Sequence, residues 1–111
     1  MSFDVYQLRE EHQELREVVR ALAEKEIAPH AAEVDEASRF PAEALKALVK
    51  ADLHALHVPE EFGGAGLGLT EASIIMEEIN LSGGNAGACH GQMYNMGTVL
   101  RHGSVLQKQT Y

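Results

Sequence analysis

The sequence predicts an all-α fold, an up-and-down or orthogonal bundle of five to six helices. Three observations predict it. Apolar residues recur at three- and four-residue spacing along successive stretches. Helix caps and breakers (Pro29, Pro41, Thr70, Gly83-Gly84, Gly103 and Ser104) punctuate those stretches. The one short alternating run, Leu53 to Val58, ends at Pro59, and no second strand is available to pair with it.

Residues 5 to about 28 read as an amphipathic helix. Leu8, Leu15, Val18, Val19 and Leu22 form its apolar stripe. Arg9, Arg16, Arg20, Glu10, Glu11, Glu14 and Glu17 form a solvated face, with acids crowding the first turns as the helix dipole favours. Pro29 removes a backbone donor and is expected to break or kink this helix, leaving a short helical piece from His30 to Ala37. Pro41 suits the first position of the next helix, 41–51, with Phe40 packing back on its first turn. Ala44, Leu45, Leu48 and Val49 are its buried candidates, and Asp52 stands where helices often end in the left-handed conformation. An extended connector then leads into the glycine-rich loop Glu60–Gly68. Thr70 is the expected N-cap of a helix over 71–81 that buries Ala72, Ile75, Met76 and Ile79, and Ser82-Gly83-Gly84 stops it. A longer helix runs from Asn85 to Arg101 on Ala86, Met93, Met96, Val99 and Leu100. Ser104 with Gln107 forms a capping box for a last short helix.

The chain has 111 residues, enough for one domain with one core. Its net charge of −8 argues against a general nucleic-acid binder, which needs a basic face to displace counterions. A single cysteine makes no internal disulfide and fits a reducing, cytoplasmic compartment. No stretch approaches a membrane span, and Met1-Ser2-Phe3-Asp4 does not resemble the start of a signal peptide. The charge is unevenly placed. Residues 1–78 hold all 17 acids and 7 of the 9 bases, whereas residues 79–111 hold only Arg101 and Lys108. That acid-free tail is either the buried end of the core or a surface facing a ligand or another domain.

Several signals for chemistry are incomplete. The loop Gly63-Gly64-Ala65-Gly66-Leu67-Gly68 lacks the Lys of a P-loop and the strand of a dinucleotide fingerprint, so a tight backbone turn is expected there. His54 and His57 have a loosely metal-like spacing but no cysteine partner and no H-E-x-x-H pattern. Cys89 beside His90 is no dyad by adjacency, and a small core residue is expected. Glu77 and Glu78 point about 100° apart on a helix, so they are expected to cap or to pair with neighbours rather than share a substrate. The helix 85–101 is different. Gly87, Gly91 and Gly97 each cost it about 1 kcal/mol relative to Ala. With His90 and Tyr94 they fall on one face, suited either to close helix packing or to the wall of an elongated apolar pocket.

Five motifs in order carry a family resemblance. They are Glu26-Ile27-Ala28-Pro29-His30-Ala31, Phe40-Pro41, Val58-Pro59-Glu60-Glu61-Phe62-Gly63-Gly64-Ala65-Gly66, Met76-Glu77-Glu78-Ile79, and Leu100-Arg101-His102-Gly103-Ser104 with Gln107-Lys108-Gln109. The chain, over residues 1–111, resembles the N-terminal helical domain of the acyl-CoA dehydrogenases. The resemblance implies an FAD-dependent oxidoreductase that oxidises the α–β bond of acyl-CoA thioesters, in fatty acid metabolism. In that family a middle β domain and a C-terminal helical domain supply most flavin contacts and the catalytic glutamate. By the same resemblance Gly87, His90 and Tyr94 line the acyl-chain cavity as substrate-binding residues, and a His and a Tyr there suit a short, branched or polar acyl group.

The departures define the expectation further. The sequence stops inside the helix opened by Ser104, where family members continue, which predicts a truncated member that is inactive alone. Val105-Leu106 stands where relatives often carry acids, and Asp52 replaces a frequent glycine. No catalytic, cofactor-binding or metal-binding residue is assigned within the chain. Its implied partners are acyl-CoA and the remaining enzyme domains, and it is expected to be a homo-oligomer. The alternative reading is a self-associating helical interaction module without catalysis, using the 87–97 face and Val105-Leu106. A weaker one is an acyl-group carrier.

Overall fold

A computed structural model describes residues 6–111, so the expected start of the first helix at residue 5 lies outside the described residues. Six helices follow in order: α1 (Glu10–Glu26), α2 (Ala28–Ala37), α3 (Ala42–Lys50), α4 (Leu69–Leu81), α5 (Gly87–His102) and α6 (Val105–Thr110). A 3-10 turn, Glu60–Phe62, lies in the connector between α3 and α4. No strand occurs among the described residues, and the fold is all-α.

The boundaries follow backbone chemistry. Glu10 and Glu11 complement the positive end of α1, and Lys25 its negative end. The break between α1 and α2 falls at Ile27, two residues before the expected one. Pro29 sits inside the first turn of α2, where its missing N–H has no intrahelical acceptor to lose. Pro41 precedes α3 as its N-cap rather than opening it, and Phe40 stays exposed. Thr70 is not the cap of α4. That helix begins at Leu69, and the Glu71 carboxylate accepts the Gly68 N–H at 3.0 Å, so the third helical residue satisfies the free donor of the cap. Asp52 is left-handed as expected, at φ 56°, and so is Ser38, at φ 51°. The Ser104–Gln107 capping box forms in both directions, with Ser104 Oγ accepting the Gln107 N–H and Gln107 Oε1 accepting the Ser104 N–H.

The core is centred on α1, which packs on α4, α2 and α3. Val19, Ala23 and Ile27 from the α1 side meet Ile75 and Ile79 of α4, Leu48 of α3, and Leu56 and Ala86 from the connectors. Ile74 is also buried, though it lies off the expected stripe. Val18, Leu45 and Val49, expected inside, are exposed instead. Val18 and Val49 each adjoin a residue, Val19 and Leu48, that takes the inward position. Helix periodicity places a stripe, but the number of helices packed around it decides how wide the buried part becomes.

A polar zipper crosses the α1–α4 interface. His12 Nε2 lies 3.0 Å from Glu71 Oε1. Arg16 donates to Glu78 at 2.8 Å and to Glu77 at 3.0 Å, and Arg20 donates twice to Glu78 at 2.9 Å. The Glu78 side chain is only 1% exposed. Arg16 and Arg20 therefore do not belong to a merely solvated face. They close over a buried carboxylate that would otherwise be unpaired.

The molecule is thin. Its principal extents are 49 × 41 × 19 Å, and its radius of gyration of 15.3 Å exceeds the value of about 13 Å for a compact chain of this length. Its accessible surface is 7834 Å², against about 6,000 Å² for a compact monomer of this mass. Neither α5 nor α6 contains a buried residue.

Candidate functional site

Helix α5 attaches to the bundle through a few points. Ala86, just before it, enters the core, and the Ala86 N–H donates to Asn80 Oδ1. Further along, the Gln92 side chain donates to the His54 carbonyl at 3.2 Å. Met93, Met96, Val99 and Leu100 are half-buried, and Met96, Val99 and Leu100 line a small cavity with His54, Ala55 and Val58 of the connector. The opposite face of the helix carries Gly87, His90 and Tyr94, all exposed, with Tyr94 65% exposed. The His90 and Tyr94 rings meet at 4.5 Å between centroids with planes 59° apart.

The glycines on this face do not serve close packing within the chain. A Cβ built on Gly91 or Gly97 meets nothing within 4 Å. A helix that carries two unneeded interior glycines is weaker by about 2 kcal/mol than one with alanines. Gly87 has a local role, since its N–H donates to Asn85 Oδ1 at 2.8 Å and a Cβ would stand 2.9 Å from that oxygen.

The other sequence signals resolve differently. In the glycine loop the amide donors are engaged within the chain. Gly63 N–H reaches Glu60 O, Gly64 reaches Pro59 O, Ala65 reaches Ala55 O, Gly66 reaches Val58 O and Leu67 reaches Leu56 O. No set of N–H groups is left pointing outward as a phosphate cradle requires. Gly64 is there for close approach, because a Cβ would fall 2.0 Å from the Val58 carbonyl oxygen. Cys89 is half-buried, and burial pushes its thiol up, which keeps it protonated and inert. Burial likewise pushes His57 down. His57 Nε2 and His54 Nδ1 are buried with no hydrogen-bond partner in the chain. Among the described residues no three His, Cys, Asp or Glu side chains stand together as metal ligands would. No described helix is long and apolar enough to cross a membrane.

Two features escaped the sequence reading. The first is the burial of Glu78: the expected ion pairing of Glu77 and Glu78 is present, but its partners are Arg20 and Arg16 of α1, whose hydrogen bonds hold the Glu78 carboxyl below its ordinary range despite burial. The signal was present, since Glu78 follows Ile74 and Ile75 by four and three residues and so shares their buried face. The second is a large groove of about 1160 Å³ between α2, α3 and the α4–α5 turn, floored by residues such as Ile27, Ala44 and Leu48. Gly87 reaches its edge, whereas His90 and Tyr94 do not line it. At its rim Arg39 bridges Glu33 and Glu43, and that guanidinium holds the Glu43 carboxyl down to about 2.

Comparison with known proteins places the chain. The family described as "Acyl-CoA dehydrogenase, N-terminal domain" matches residues 9–111. The chain is 48% identical over 110 residues to the probable acyl-CoA dehydrogenase FadE25 of Mycobacterium tuberculosis, covering 97% of this chain and 28% of that protein. It is 42% identical over 113 residues to the mitochondrial short-chain specific acyl-CoA dehydrogenase of Bos taurus, covering 96% of this chain and 27% of that one. It is 39% identical over 103 residues to the mitochondrial isovaleryl-CoA dehydrogenase of Oryza sativa, covering 89% of this chain and 25% of the relative. The chain thus spans little more than a quarter of the length of these relatives. With its six helices, its matched motifs and this coverage, the chain belongs to the acyl-CoA dehydrogenase N-terminal domain family.

Proposed function

We propose that the chain forms the helical wall of an acyl-CoA dehydrogenase-type flavoprotein, with Gly87, His90 and Tyr94 of α5 facing the acyl group. The observation that carries this reading is α5 itself. It is a 16-residue helix with no buried residue, and two of its interior glycines open onto empty space. The excess accessible surface of the thin bundle supports the same reading, because area of that size is normally covered by another domain. Residues 79–111 carry no acid, so a covering domain meets no buried carboxylate on this side.

The described residues do not fit FAD by themselves. The glycine loop has no free donors for a diphosphate. Flavin binding and proton abstraction then belong to the part of the relatives' length that this chain does not span. The purified chain is expected to be colourless and to leave acyl-CoA unoxidised, and a yellow, FAD-loaded preparation would overturn that. The role of α5 is tested by joining residues 1–111 to the remaining length of the Mycobacterium tuberculosis relative. In that protein Tyr94→Ala is expected to improve kcat/KM for longer acyl chains by about fourfold per added methylene, as burial of a CH₂ predicts. An active protein with unchanged chain-length preference would remove Tyr94 from the cavity wall.

A further inference from the structure

Helix α5 meets the rest of the bundle across soft contacts. It has no buried residue, and its Met96, Val99 and Leu100 stand with His54, Ala55 and Val58 around a cavity of about 260 Å³ rather than in close packing. Apolar contact is non-directional and methionine adapts its shape, so such an interface does not fix the rotation of a helix about its axis. Rotation matters on this helix. At an outer radius of about 5–6 Å, a turn of about 20° carries a side-chain atom by roughly 2 Å. A misplacement of about 1 Å is enough to slow a reaction by as much as about a hundredfold.

One contact is directional. The half-buried Gln92 side chain donates from Nε2 to the His54 carbonyl at 3.2 Å. Among the described residues it is the one hydrogen bond from α5 to a segment beyond its own turns and caps. The acceptor is firmly held. The neighbouring Ala55 and Leu56 are buried, the Ala55 carbonyl accepts the Val58 and Ala65 N–H groups, and the Leu56 carbonyl accepts the Leu67 N–H. At about 100° per residue, Gln92 lies roughly 180° around the helix from the midpoint of His90 and Tyr94. The tie therefore stands directly behind the exposed face.

We propose that Gln92 is a positioning residue: its bond to the His54 carbonyl sets the rotation of α5 and so turns His90 and Tyr94 toward the acyl group. It acts through the helix and needs no contact with substrate. The role rests on α5 being the acyl-group wall proposed above, whereas the tie between α5 and the connector does not.

Two variants test it. Gln92→Met keeps the length of the side chain and removes the donor, and Gln92→Glu sets a carboxylate against the carbonyl. In the 111-residue chain both are expected to speed hydrogen exchange of the amides from Cys89 to Met96 by about fivefold or more, as the loss of one net hydrogen bond dictates, with α1 and α4 unchanged. Unchanged exchange in α5 would overturn the proposal. In the protein joined to the rest of the Mycobacterium tuberculosis relative, Gln92→Met is expected to raise KM for acyl-CoA by up to about fivefold with kcat held within about twofold, because fewer molecules present the wall correctly. A fall in kcat with KM unchanged would mark a merely structural loss and overturn the proposal as well. Chain-length preference is expected to relax as it does in Tyr94→Ala, and no further when both residues are changed. If Tyr94→Ala shifts the preference and Gln92→Met does not, the positioning role is wrong and the cavity wall stands. If Tyr94→Ala leaves the preference unchanged, Tyr94 does not line the cavity, and the positioning role falls with it.

Discussion

The two halves of this molecule solve the packing problem in opposite ways. From α1 to α4 the chain buries Val19, Ala23, Ile27, Leu48, Ile74, Ile75 and Ile79, and zips its main interface with ion pairs around Glu78. From α5 to α6 it buries nothing, carries no acid, and keeps glycines that its own packing does not require. Charge follows the same division. Acids accumulate where the surface meets water or an arginine, and they vanish where the surface is left apolar and thin. A helix built for its own bundle would gain from alanine at Gly91 and Gly97. Retaining glycine there makes sense on a surface shaped for something outside the chain.

The sharpest way to break this contrast is to truncate matched apolar residues in the two halves. Ile75→Ala is expected to cost about 3 kcal/mol in urea unfolding, from lost burial and the cavity left behind. Leu106→Ala, at low protein concentration, is expected to stay within about 0.5 kcal/mol. Equal losses would mean that α6 is as much a part of the core as α4. Glu78→Ala comes next, at about 2–3 kcal/mol. It leaves Arg16 facing a buried gap, while the half-exposed Arg20 rehydrates.

Acid should act on the α1–α4 half first. Glu78 and Glu43 are held below their ordinary range by arginines, so the unfolded chain takes up these protons before the folded one. Their contribution is complete above about pH 4.5 and is lost as pH falls, towards about 2 for Glu43. His57 is held down by burial alone, so a shallower loss begins as pH drops below its ordinary value of 6.5. Urea midpoints measured against pH are expected to show both declines, with the upper one absent in His57→Leu.

The smallest effects run the other way. Gly91→Ala and Gly97→Ala are each expected to stabilise the chain by up to about 1 kcal/mol, because they add helix propensity and meet no neighbour. In the enzyme joined to the rest of its relative, the same changes are expected to slow acyl-CoA turnover, and a gain in both stability and turnover would separate the glycines from any cavity.

Much of the architecture was legible because it is written in short-range chemistry. The Ser104–Gln107 box, the left-handed Asp52 and the closed glycine turn depend on neighbours a few residues apart, and all three stand as read. Thr70 misled because a capping residue competes with its surroundings. Gly68 with Glu71 satisfied the helix start two residues earlier. Pro29 marked the break between α1 and α2 to within two residues, because a proline is tolerated in the first turn of the helix that follows the break. Val18, Leu45 and Val49 were apolar at the right spacing, yet the flat bundle leaves no layer to cover them. The Glu78 cluster joins residues about sixty positions apart, a pairing that spacing within one helix does not display. Gly87, His90 and Tyr94 were singled out as one face, and they do share it. All three are exposed, and the His90 and Tyr94 rings meet each other on that face.

Hydrogen exchange of the α5 amides tests the central contrast most directly, comparing the 111-residue chain with the same residues joined to the remaining length of the Mycobacterium tuberculosis relative. In the short chain, α5 amides are expected to exchange far faster than those of α1 and α4, through local opening that leaves the core intact. In the joined protein they are expected to slow to the rates of the core. If α5 is already as protected as α4 in the short chain, or stays unprotected in a folded joined protein, its outer face was not shaped for a partner domain.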